Sequence, residues 1–177
     1  MIEEVARPPS EGDVRELAAV LVDAVSSGAS VSFMASLTQA EAEQWWRETI
    51  AHAHPNAVFL VVRDEQGIAG TVQMHPAWPP NQPHRADIAK LLVHRRARGR
   101  GYARQLMNEI EARAAAKGYT LLTLDTVPDR AADFLYRSAG WTAVGRIPNY
   151  ALDPDGTPCD TVVFYKDLKG SIEGGSR

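Results

Sequence analysis

Apolar and polar positions follow two periods along this chain, and the switches between them mark out its elements. From Asp13 to Val25, "DVRELAAVLVDAV" sets Val14, Leu17, Ala18, Leu21 and Val25 at intervals of three and four, which is one face of a helix, and Gly28 follows as a stop. The segment "LTQAEAEQWWRETIAHAHP" predicts a second helix, with Thr38 as N-cap, Glu41 three residues on to complete a capping box, and Pro55 to close it. Trp45 and Trp46 are adjacent and cannot share one helix face, so the pair is expected to straddle a core edge.

The period then shortens. "AVFLVVRDEQGIAGTVQMHP" reads as two β-rich runs around the turn "DEQG", a hairpin. The proline-rich stretch from Pro76 to Arg85 is an irregular loop, because proline cannot enter a central strand. "ADIAKLLV" resumes a strand, and Tyr102–Lys117 predicts a third helix, ended by Gly118. Strand "TLLTLDT", helix "RAADFLYRSAG", strand "WTAVGRI", the turn "PDGT" and strand "DTVVFY" complete the series. Helices first, then a meander, then alternating elements predict an α/β or α+β sheet with mixed strand directions. No repeat or second composition regime appears, so residues 1–168 are expected to form one domain and 169–177 a flexible tail.

Composition narrows the function. Nineteen Lys and Arg stand against 22 Asp and Glu, a net charge of -3, which does not suggest a general polyanion binder despite the arginine cluster "RRARGR". No nucleic acid partner is expected. The single cysteine, Cys159, cannot form an internal disulfide and no Cys/His spacing matches a zinc site, so no metal and a reducing, cytoplasmic setting are expected. The first residues lack a signal-peptide pattern, and no apolar run reaches membrane-spanning length.

The stretch "LLVHRRARGRGYARQL" carries the most chemistry. A strand that ends in a glycine-rich turn and enters a helix at once leaves several N–H groups at the helix start without intrahelical partners. With the helix dipole they suit phosphate oxygens, and Gly99 and Gly101 let the backbone come close. A Walker A loop fails because "GYAR" replaces Gly-Lys-Ser/Thr, and a Rossmann fingerprint fails because Arg104 stands where its third glycine belongs.

The turn "RRARGRGYA" resembles the Arg/Gln-x-x-Gly-x-Gly/Ala motif of the GNAT superfamily of acyl-CoA-dependent N-acyltransferases. Arg96, Gly99 and Gly101 meet it, and Arg98, Gly101 and Ala103 meet it again. A second element, "LDTVPDRAADFLYRSAGWTAVG", matches the family at Ala132, Tyr136, Gly140 and Trp141, while Asp129 replaces the usual asparagine. Together with "RADIAKLLV" and "GRIPNYALDPDGTPCDTVVFY", residues from about 68 to 168 look similar to the tabtoxin-resistance type of acetyltransferase.

The resemblance implies a GNAT fold, a central mixed, mostly antiparallel twisted sheet of about six to seven strands flanked by about four helices. It implies acetyl-CoA as cosubstrate and no metal. The pyrophosphate would be held by the backbone of Arg98, Gly99, Arg100, Gly101, Tyr102 and Ala103, with Ala132 beside the cofactor. The pantetheine arm would pair with Leu92 and Val93.

Transfer to an amine needs a base, an acid and an oxyanion donor. By the same resemblance Tyr136 is the acid. Asp125 and Asp87 compete for the base, and strict alternation along "DIAKLLV" would put Asp87 on the face of Ala89, Leu91 and Val93. His75 is a third candidate, since a neutral imidazole titrates near working pH. The acceptor, a small-molecule primary amine, is expected near Phe33, Trp45, Trp78, Asn149 and Tyr150. A protein amine as acceptor, and a non-catalytic acyl-CoA sensor, remain open, as does a monomer or a homodimer.

Overall fold

The computed structural model describes residues 1–169. The expected flexible tail lies outside these residues apart from Lys169. The element order is β1 (Ile2–Glu4), α1 (Glu11–Ser26), α2 (Gln39–Ala51), β2 (Val58–Asp64), β3 (Gly67–Pro76), β4 (Arg85–Val93), α3 (Tyr102–Ala116), β5 (Leu121–Thr126), α4 (Ala131–Ser138), β6 (Thr142–Leu152) and β7 (Pro158–Asp167). A short 3₁₀ turn, Arg95–Ala97, separates β4 from the glycine turn.

One seven-stranded sheet runs β1-β2-β3-β4-β5-β7-β6. Every neighbouring pair is antiparallel except β4 and β5, so the sheet is mixed and mostly antiparallel, as expected. Strand β1 is an addition: its three residues, two of them glutamates, carry no alternation to read, and they form a strand because β2 offers an edge.

The uninterrupted apolar run Val58–Val62 follows from its position. Both faces of β2 are covered, so no residue in the run has a solvent side. Val58, Leu60 and Val62 pack with Leu106, Met107 and Ile110 of α3, while Phe59 and Val61 pack with α1 and α2. Ser10 caps α1 by accepting from the Asp13 N–H at 3.0 Å. Thr38 and Glu41 form the predicted capping box on α2: the Thr38 N–H donates to Glu41 Oε2 at 2.8 Å and the Glu41 N–H to Thr38 Oγ1 at 3.3 Å. Trp46 is fully buried, whereas Trp45 is half-buried and packs edge-on against it and against Phe33.

One local feature corrects the sequence reading and positions the site. Strand β4 carries an extra residue between Ala89 and Leu92 relative to β3, and Lys90 adopts φ 51 there. Such a bulge flips the alternation of everything beyond it. Ala86 and Ile88 face α3 before the bulge, and Leu91 and Val93 face it afterwards. Asp87 is therefore on the opposite face from Leu91 and Val93, contrary to the strict alternation expected. Its carboxylate is engaged with Arg85 and the Thr123 hydroxyl.

Candidate active site

The glycine turn is built by its conformations. Gly99 and Gly101 have φ 77 and 78, a region open to glycine at little cost, and a Cβ at Gly99 would meet no atom within 4 Å. The turn's concave side is thus unobstructed. Gly101 is the N-cap of α3, makes no side-chain cap bond, and no acidic residue sits in the first turn. The Gln105 N–H bonds to the Gly101 carbonyl at 3.1 Å, so the N–H groups of Tyr102, Ala103 and Arg104 precede the intrahelical ladder. An uncapped helix start without acidic residues suits an anionic, phosphate-type group.

The two arginines that could open the motif have different surroundings. Arg96 is turned toward the β2–β3 turn, where Nη2 donates to the Ile68 carbonyl at 3.1 Å and Nη1 pairs with Asp64. That bond, with the Gln66 N–H, holds the Asp64 carboxyl below its ordinary pKa. Arg98 lines the cleft, with Nε donating to the Val93 carbonyl at 3.2 Å. Arg100 is directed toward Asp64 at 3.9 Å and stays largely exposed.

Beside the turn the sheet opens. Strands β4 and β5 pair only from Arg85–Asp87 against Leu121–Thr123, although β4 continues to Val93 and β5 to Thr126. Beyond Asp87 the β4 backbone has no β5 partner, and a cleft of about 1290 Å³ enters between the strands. It is lined by Leu92, Val93, Arg98, Gly99, Gly101, Tyr102, Ala103 and Ala132, and also by Asp125, Tyr136, Phe33 and Tyr150. Unpaired strand edge, open glycine turn and uncapped helix start are contiguous, and this donor set fits an extended, amide-bearing chain that ends in phosphates, as acetyl-CoA does.

Tyr136 lies on the buried side of α4, 5% exposed, with its ring 6.0 Å from Trp141 and 5.9 Å from Phe164. Burial first, and the Asp125 charge second, push its phenol far above the ordinary pKa of 10.0, so it stays protonated at any working pH. Asp125 is exposed into the cleft and accepts from Thr161 Oγ1 at 2.8 Å. Strand β5 and its antiparallel neighbour β7 position it, since Asp125 faces Val163 in register.

The remaining candidates lie elsewhere. Asp87 and His75 pair across β3 and β4 outside the cleft lining. His75 Nε2 is 2.8 Å from Gln73 Oε1, the imidazole stands edge-on to Phe59 at 5.5 Å, and burial lowers its pKa below 6.5. Trp78 is 89% exposed on the proline-rich loop. Asn149 is in a β6 irregularity with φ 50, where its N–H donates to Asp160 at 2.9 Å. Trp45 lines a shallower groove next to the cleft, and the two share Phe33 and Met34. Asp129, in the asparagine position, has φ 62 and gives its N–H to the buried carboxylate of Asp133 at 2.9 Å.

Among the lining residues that escaped the sequence reading are Arg130 and Lys90. Arg130 ties the end of α1 to the turn between β6 and β7, donating to the Gly28 carbonyl at 3.0 Å and to Asp153 at 2.7 Å. Lys90 reaches the cleft through the bulge. Its one sequence signal is a charged residue inside an otherwise apolar strand interior, "IAKLLV".

The comparisons with known proteins agree with this geometry. The fold matches an N-acetyltransferase of Staphylococcus aureus Mu50 with TM-score 0.79 and 20% identity, covering 95% of this chain and 98% of that one. It also matches yncA of Salmonella typhimurium, solved with its cofactor acetyl-CoA, with TM-score 0.77 and 16% identity over 95% and 93% of the two chains. In sequence the chain is 30% identical over 116 residues to an N-acetyltransferase encoded in the hisH-hisA intergenic region of Azospirillum brasilense, covering 64% of this chain and 68% of the relative. The family model for the Acetyltransferase (GNAT) family matches residues 22–141, and with the splayed strands and the open glycine turn in place, the chain belongs to that family of acetyl-CoA-dependent N-acetyltransferases.

Proposed function

We propose that this enzyme moves the acetyl group of acetyl-CoA directly to a primary amine of a small molecule, with both substrates bound at once. The observation that carries the reading is the union of two halves in one cleft. The Arg98–Ala103 turn and the free β4 edge lie at one end, and Tyr136 and Asp125 line the same space.

Acetyl-CoA supplies an activated thioester when bound. The amides of the glycine turn and the α3 start hold its phosphates, and the backbone of Leu92 and Val93 takes its amide arm. Ala132, small and on the cleft wall, leaves room for that arm. The Asp125 carboxylate takes the proton of the incoming amine, directly or through water, since an ammonium has no lone pair for attack. The Tyr136 hydroxyl, kept protonated by burial, gives its proton to the departing sulfur. Cys159 lines the cleft but sits beside the Ser30 hydroxyl at 3.5 Å, with no histidine bonded to it among the described residues, and the proposed path uses no covalent enzyme intermediate.

The preference for a small acceptor over a protein amine rests on the motif resemblance of residues 68 to 168 alone. Tyr136→Phe tests the assignment. It keeps the ring that packs on Trp141 and Phe164, so turnover should fall by roughly 10²–10⁴-fold while acetyl-CoA affinity stays near wild type. Unchanged turnover would remove Tyr136 from the mechanism.

A further inference from the structure

Lys90 is the unexplained charge in the cleft. Its strand is otherwise apolar here, its φ of 51 is rarely adopted by non-glycine residues, and the bulge that requires this conformation delivers the side chain to the acceptor side. Nζ lies 5.8 Å from the Phe33 ring centroid and 5.6 Å from that of Trp45, within reach of a cation–π attraction to both. It donates to Ser32 Oγ at 3.1 Å, and Ser32 also has a positive φ, 76. The loop after α1 and the bulge of β4 thus meet at this contact, each in a conformation that the surroundings must impose.

An ammonium has three donors, and the Ser32 hydroxyl takes one. Among the described residues no carboxylate lies within ion-pair distance of Lys90, whereas Lys166, also half-buried, is 2.6 Å from Glu111. Burial lowers the Lys90 pKa, and the Asp125 charge offsets part of that. Asp125 thus acts electrostatically on both Lys90 and Tyr136. A desolvated cation with spare donors is costly unless an anion completes it. A carboxylate on a molecule entering the cleft would supply that anion.

We infer that Lys90, held by Ser32 against Phe33 and Trp45, reads a carboxylate on the acceptor, so that the acceptor is an amino acid whose carboxylate binds Lys90 while its amine lies toward Asp125. This rests on the acetyl-transfer reading and narrows it. The geometry disfavours polyamines and other purely cationic amines, which would bring a second positive charge beside Lys90. The aromatic pair and the adjoining groove with Leu37 and Gln44 leave room for the amino acid side chain.

The test is acetyl-CoA-dependent thiol release with the twenty free amino acids, each beside its carboxamide, for wild type, Lys90→Met and Lys90→Arg. In wild type at least one acid should exceed its amide by roughly tenfold or more in kcat/KM, mainly through KM. In Lys90→Met the acid-to-amide ratio should fall to within about twofold of one, and Lys90→Arg should restore part of it. Because a changed bulge could disturb the fold, wild-type protein loaded with coenzyme A is also melted with each acid and each amide. Stabilisation by an acid and not by its amide supports the assignment without any variant. Amides used as well as acids, or an acid preference intact in Lys90→Met, would overturn the carboxylate assignment and leave acetyl transfer standing. Consumption of none of the acids or amides, with coenzyme A still binding, would overturn this inference while leaving transfer to other small amines standing.

Discussion

Gly70 offers a test of how the sheet creates the cleft. It sits in β3 opposite Val93, and a Cβ built there would lie 2.7 Å from the Leu92 carbonyl oxygen, 3.2 Å from Val93 Cγ2 and 3.3 Å from Leu106 Cδ1. The first contact is too short for any real Cβ, and a backbone oxygen is not a flexible tip that can turn aside. Strand β4 would have to retreat by roughly half an ångström, an overpacking strain of about 1–3 kcal/mol. At roughly 2–4 °C per kcal/mol for a chain of this size, Gly70→Ala should lower Tm by about 2–12 °C. The strand that moves is the one that lines the cleft through Leu92 and Val93, so the KM for acetyl-CoA should rise as well. Gly145→Ala is the matched control: it is also in a strand, yet a Cβ there meets nothing within 4 Å, and its effect should stay within about 0.5 kcal/mol. Differential scanning fluorimetry on the three proteins, with acetyl-CoA kinetics, reads both effects. Equal shifts in the two variants, or a Gly70→Ala melt within about 1 °C of wild type, would refute the close-approach argument.

Three more outcomes follow from the geometry. Gly101→Ala has steric room, its nearest neighbour being Gln105 Nε2 at 3.7 Å, so its cost is conformational, about 1–2 kcal/mol at φ 78, and calorimetry should show weakened coenzyme A binding as the turn reshapes. Asp125→Asn should lower turnover by roughly 10²–10⁴-fold with the fold intact, and wild-type rates would exclude it as the base. His75 has a folded pKa held below 6.5 by burial, so above that value it is neutral folded or unfolded and adds no pH dependence. As pH falls below 6.5 the unfolded chain binds the proton first, and this part of the stability is lost; urea titrations at pH 7.5 and 5.5 should show a smaller loss in His75→Asn than in wild type.

The sequence by itself determined the local devices. The capping box at Thr38 and Glu41 and the two-glycine turn before α3 are defined by contacts within a few residues, so spacing predicts them, while the motif residues of α4 were legible only through the family resemblance. The order of helices and strands was legible for the same reason, and with the family resemblance so was the sheet. Only the tertiary structure decided which side chains share the cleft. Alternation assumes a regular ladder, and the extra residue at Lys90 breaks it, turning Asp87 away from the face of Leu91 and Val93 and bringing Lys90 into the cleft. The cleft itself arises where β4 and β5 stop pairing after Asp87 and Thr123, between residues 36 positions apart in the chain. Arg96 and Arg98 are equivalent as motif letters, and they separate only because Asp64 and the Ile68 carbonyl draw one of them to the β2–β3 turn. Such choices depend on partners distant in sequence, which no local pattern records.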